Sequence, residues 1–284
     1  MSDRQPATLV DRPALARHRA RARLDRAGFL HDEAMAELQE RLIDVNRSFT
    51  APAIVTPFPE VWAGFLPGAV VVTDADTLTL PPGAHDLVIH AMGLHWANDP
   101  VGQMVQCRRA LRPDGLFLAV CFAGDTLREL RAVLGQAEIE TLGGLSPRVA
   151  PMGELRDLGG LLQRAGFALP VADSARRDVT YASLASLMQD LRAMGETNAL
   201  LSRHRMPSPR RLFARAARIY ADSFPAEDNR IRATFELAFL TGWTPHASQQ
   251  KPMRPGSAKA RLADALNTTE FDETASPALD RPPD

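Results

Sequence analysis

The 284-residue chain is 45% hydrophobic and 24% charged, enough apolar material for one large core with an appended lobe. Its formal net charge of −1 creates no whole-molecule field toward nucleic acid or an anionic membrane, and no apolar run nears the roughly 18 residues of a membrane-spanning helix. Two cysteines, Cys107 and Cys121, have neither C-x-x-C nor metal-type spacing and read as reduced thiols in a cytoplasmic protein.

Residues 11–47 read as a basic amphipathic helix with a break at Gly28, because Leu15, Leu24, Phe29, Leu30, Ala34, Leu38 and Leu42 recur at helical spacings. Asp11 and Asp25 interrupt the arginine run Arg12 to Arg26, which separates it from an acid-poor mitochondrial presequence. Its basic face reads either as a solvated surface or as a grip for phosphate or an acidic partner. From Pro52 the pattern changes to short apolar runs punctuated by Gly and Pro, the look of strands covered on both faces. Strands are expected at 53–56, 69–73, 86–92 and 116–122, with helices at 59–66 and 100–111 between them. This alternation predicts a doubly wound α/β sheet. In "LRPDGLFLAV" the helix stops and a buried strand begins at once. Helices at 125–140 and 152–165 follow, then a strand in "GFALPVADS", two helices at 181–194 and 209–224, and a last strand at 231–242. The two late helices are expected to form a lid over the carboxyl edge of the sheet, where open α/β sheets bind ligands. The division that results is a basic helical segment 1–48, an α/β core 49–182, a helical insertion 183–230, a final strand and loop 231–268, and a disordered acidic tail 269–284.

Chemistry-bearing residues concentrate at that edge. A dinucleotide-like cofactor needs glycines after the first strand, so that backbone N–H groups can approach it. Here the place reads "AIVTPFPEVWAGFLPG", with Pro57 and Pro59 where glycines would stand. Asp74 and Asp76 follow the second strand and suit either ribose and adenine hydrogen bonds or an Asx turn. His90, His95 and Trp96 fall at or past the third strand's end; their spacing does not put three imidazoles on one strand face. "GWTPHASQQKPMRPGSAKARL" gathers His246, Gln249, Lys251 and Arg254, a polar loop suited to an anionic ligand or acidic partner, or else an extended solvated exit.

On the strings "DLVIHAMGLHWANDP", "LRPDGLFLAVCFAGDTLRELR", "GGLSPRVAPMGELRDLGGLLQRAGF" and "LMQDLRAMGETNAL", the chain resembles class I methyltransferase-type proteins. The branch it looks like is that of complex I assembly factor five and the malonyl-carrier-protein methyltransferases. The resemblance implies a Rossmann-like sheet, S-adenosylmethionine as cofactor, and modification or binding of a complex I subunit, with arginine hydroxylation linked to the assembly-factor branch. It also implies the mitochondrial matrix for a eukaryotic relative. The family's acidic-glycine loop has no counterpart at 56–68, and one strand-helix unit looks deleted. By position Asp74 would match the family's adenine-side acid, and His95, Trp96, Asn98 and Asp99 its post-strand motif; on a cofactor-binding reading Asp74, Asp76, Leu78 and Met92 line the cofactor, and His90, His95 and Trp96 the reacting side. The alternative is a non-catalytic assembly module of the same fold that has lost the cofactor. Nucleic-acid binding lacks the aromatic interleaving it needs.

Overall fold

Local sequence sets the helix starts. Asp11 accepts from the Ala14 N–H and opens α1 (Arg12–Arg19), and Asp99 accepts from the Gly102 N–H at 2.8 Å to open α5 (Pro100–Ala110). A computed structural model describes residues 8–249. The chain divides into two compact units, 1–246 and 247–284, and every element named below belongs to the first.

In order, the remaining elements are α2 (Leu24–Ala27), α3 (Phe29–Val45), β1 (Pro52–Thr56), α4 (Pro59–Trp62), β2 (Val70–Thr73), β3 (His85–Ala91), β4 (Leu111–Phe122), α6 (Arg128–Leu142), α7 (Leu155–Arg164), β5 (Ala168–Tyr181), α8 (Leu184–Ala193), α9 (Arg210–Ser223) and β6 (Ile231–Trp243). Among the described residues, six strands form one sheet in the order β2-β1-β3-β4-β6-β5. The first four run parallel, while β6 is antiparallel to both β4 and β5. This is the Rossmann-like arrangement of class I methyltransferases, as expected.

Strand alternation sorts the core into two layers. Ile54, Ile89 and Leu118 join residues of α3, α6, α8 and α9 on one face, and Ala53, Val88 and Phe117 join α5 and α7 on the other. Every residue of β1 is buried, as a central parallel strand requires. Cys107 and Cys121 are buried and unbridged, and burial pushes the Cys121 thiol up to about 12.

The structure differs from the expected elements in four places, the first being β5, which runs on to Tyr181, where a helix is expected to begin. The single helix at 11–47 is three helices, because the Arg23 N–H leaves the helical ladder for the Ala193 carbonyl at 2.6 Å and Gly28 lies tight against Leu24. The helix at 59–66 is one turn, α4. Strand β4 begins at Leu111, which pairs with His85 before the Pro113–Gly115 irregularity shifts the register. The edge strand β2 lies directly beside β1, and the 74–84 connection from β2 to β3 contains no helix. No helix among the described residues is long and apolar enough to cross a membrane.

Candidate functional site

Two regions at the carboxyl end of the sheet carry polar groups, and their geometry is opposite. At the ends of β1 and β2 an open surface groove lined by Arg12, Arg19, Pro57, Phe58, Thr73 and Asp74 remains, and the space beneath it is filled. Phe58 and Trp62 are 4% and 0% exposed, and both rings pack edge-on against buried His31 of α3, at 5.4 and 6.1 Å. Trp62 Nε1–H donates to His31 Nδ1 at 3.1 Å. That bond needs a lone pair on Nδ1, and burial, the dominant cause, pushes the His31 pKa down to about 4. Phe65 closes the cluster against Trp62 at 5.4 Å.

Asp74, just past β2, is already engaged. Arg19 of α1 donates from Nη1 to both of its oxygens at 3.0 and 2.9 Å, and Arg12 Nη2 donates to its backbone carbonyl at 2.5 Å. The Arg19 and Asp74 side chains are 10% and 9% exposed. A methyl group at Gly93 would lie 2.8 Å from Asp74 Oδ2 and 3.2 Å from Pro57 Cδ, so the chain segments after β1, β2 and β3 touch one another there. Glycine is required at Gly93 for that approach. The residues present do not build a cradle for S-adenosylmethionine: proline has removed N–H donors, aromatic rings fill the volume, and the acid expected on the nucleoside holds an arginine of its own chain.

The other proposed cofactor residues are spread out. The Asp76 side chain is 75% exposed with Arg12 3.5 Å away, Leu78 is buried against the α5 layer, and Met92 is buried in the α3–α6 layer with φ 55°. His90 is fully buried in β3, its Nε2 3.3 Å from Gln103 Oε1. Burial lowers its pKa, although the Asp74 charge and the Gln103 hydrogen bond oppose this. His246 is exposed beyond β6 and Gln249 falls in the second unit. Lys251 and Arg254 lie outside the described residues.

The second region is open. A mostly apolar cavity of about 330 Å³ lies between α6, α8 and α9, with Trp96 and Phe122 at the sheet edge as part of its wall. Here the structure joins His95 and Trp96 around a residue the sequence reading passed over, Glu196. Trp96 Nε1–H donates to Glu196 Oε2 at 2.6 Å, and His95 Nε2 lies 3.2 Å from the same oxygen. Both contacts fall on Oε2, and Glu196 lines the cavity. Burial raises the pKa of this carboxyl, but His95, the Arg19 charge and the Trp96 N–H together hold it below the usual carboxylate range. The site therefore carries an ionised carboxylate, fixed through one oxygen, between aromatic rings.

The walls are tied down around it. Arg148 Nη1 reaches Ser208 Oγ at 2.9 Å, Asn198 Nδ2 reaches the Pro147 carbonyl at 2.8 Å, and Arg203 pairs with Asp11 at 2.9 Å. Glu138 accepts from Arg148 and Ser146; burial raises its pKa, but these bonds outweigh it and bring the value to about 2. Arg192, His204 and Pro147 are exposed at the mouth. A desolvated carboxylate walled by Trp96 and Phe122 is chemically suited to a guanidinium or ammonium group on an apolar stem. Among the described residues, no group of three or more His, Cys, Asp or Glu side chains is placed to hold a metal.

Comparison with known proteins agrees with the sheet. A family model described as "Methyltransferase domain" matches residues 30–119. With that match and the strand order above, the chain belongs to the class I S-adenosylmethionine-dependent methyltransferase superfamily, whose members in general bind that cofactor. Within the superfamily it is related to the arginine hydroxylase NDUFAF5 and to malonyl-carrier-protein methyltransferases. It is 42% identical to the mitochondrial "Arginine-hydroxylase NDUFAF5" of Dictyostelium discoideum over 66% of this chain and 43% of that protein, and 38% identical to the human protein of that name over 68% and 56%. It is 33% identical to the "Malonyl-[acyl-carrier protein] O-methyltransferase" of Laribacter hongkongensis over 66% of this chain and 61% of that protein. The chain thus spans about half the length of the first two.

Proposed function

We propose that this chain recognises an arginine-bearing segment of a protein partner, a respiratory complex I subunit in keeping with the assembly-factor branch it resembles, and that it binds this segment rather than methylating it. The observation that carries the reading is Glu196, a mostly buried carboxylate anchored through Oε2 by His95 and Trp96 and lining an apolar cavity. The relatives' printed name, arginine hydroxylase, supports the same choice of side chain. The filled space at Phe58 and Trp62 supports binding without the sulfonium donor.

In this reading His95 and Trp96 are positioning residues: they fix the rotamer of Glu196 and keep it ionised. The aromatic walls strip water from the guanidinium, which strengthens its charge-assisted hydrogen bond to the carboxylate. The Glu196→Gln variant tests this, because it keeps the volume and removes the charge. Anisotropy titration of a labelled arginine peptide is expected to show at least a tenfold loss of affinity, with the melting temperature of the variant recorded alongside. Equal affinity in a folded variant would remove the carboxylate from recognition.

A further inference from the structure

The cavity is larger and more apolar than an arginine side chain uses. Its volume of about 330 Å³ falls at the lower end of the range that encloses whole drug-sized ligands, roughly 300–1,000 Å³. Its charged and hydrogen-bonding groups are unevenly placed. Glu196, Trp96 and Phe122 sit where β4 ends, near Leu127 at the start of α6. Leu134, which also lines the cavity, is seven residues further along, roughly 10 Å of helix axis. There α9 packs on α6, and Phe213 from α9 and Met188 from α8 face the same space. A guanidinium at Glu196 leaves this second, apolar end uncovered, and exposed Arg192 among the lining residues repels a free cation. Apolar contact must therefore supply much of the binding.

We infer that the cavity holds two side chains of one partner segment: an arginine against Glu196 and a large apolar residue against Leu134, Met188 and Phe213. This rests on the arginine reading above and adds to it the chemistry of the neighbouring residue. In an extended segment, side chains two residues apart leave the backbone on the same side, so the motif is an arginine and a leucine-sized residue separated by one position. Met188 and Phe213 are then specificity-determining residues of the partner site.

The experiment is an anisotropy titration of the purified full chain with four labelled heptapeptides. They differ only at two positions, two residues apart: arginine with leucine, arginine with alanine, glutamine with leucine, and glutamine with alanine. The arginine–leucine peptide is expected to bind at least tenfold more tightly than arginine–alanine. The Met188→Trp variant, which fills the apolar end, is expected to abolish that advantage; an undiminished advantage in the folded variant would overturn the assignment of this end to the apolar residue. Equal affinity for the two arginine peptides on the unmodified chain would overturn the two-residue motif and leave the arginine reading standing. Equal affinity for arginine–leucine and glutamine–leucine would sink the arginine reading itself, and no binding by any of the four would sink both.

Discussion

The two ends of one sheet edge have been finished differently. Past β1 and β2, prolines, three aromatic residues and the Arg19–Asp74 pair pack the interior beneath a surface groove; past β4, Glu196 lines an apolar cavity braced by Arg148, Asn198 and Arg203. The contrast shows that one edge of a methyltransferase-type sheet can be packed from within in one region and hollow in another. The closed end is carried by residues that also stabilise the core, so its filling adds to folding, while the open end is carried by loops that are held rather than packed full.

The comparison is broken most severely at Arg19. If the closed end is structural, Arg19→Met leaves buried Asp74 with only Arg12, 3.7 Å away, as a counter-ion and is expected to cost about 3–4 kcal/mol of stability. Replacing both partners, Arg19→Met with Asp74→Leu, should recover much of that loss, as judged by urea denaturation. A cost below about 1 kcal/mol for the single change would show α1 to be loosely attached, as exposed ion pairs are.

Acid sharpens the comparison by a smaller amount. His31 has a pKa of about 4 in the fold against 6.5 ordinarily, so the unfolded chain takes up its proton first as pH falls. Stability present above about pH 6.5 is therefore lost between 6.5 and 4, by on the order of 3 kcal/mol from this group, and His90 shifts in the same direction. The His31→Gln variant retains an acceptor for Trp62 and cannot titrate. Denaturation at pH 7 and pH 4.5 should show a shallower pH dependence for it than for the parent; identical dependences would remove His31 from the closure.

Much of the fold was readable because it depends on local pattern. Buried strands between glycines and prolines placed β1, β2, β3 and β6 closely, whereas β4 takes in "LRPDG" and β5 runs on to Tyr181, because pairing with neighbouring strands extends them beyond their local pattern. The 59–66 stretch misled because its apolar residues fit a helix in isolation, whereas Phe65 leaves the single turn of α4 to pack on Trp62. The site was less legible. Prolines at 57 and 59 signalled the loss of a phosphate-type loop, but which groups fill the space depends on His31 and Arg19, brought there by tertiary packing. Glu196 sits in an irregular loop with no local motif, and its contact with Trp96 spans 100 residues. His95 and Trp96 drew attention through their position past β3, yet nothing nearby in sequence announced the carboxylate they hold.

The most direct test of the closed-and-open account is calorimetric titration of the full chain with S-adenosylmethionine and S-adenosylhomocysteine up to millimolar concentration. The account predicts heats no larger than dilution for both, in protein that still binds the arginine–leucine peptide. A saturable, one-to-one isotherm in the micromolar range for either nucleoside would contradict it.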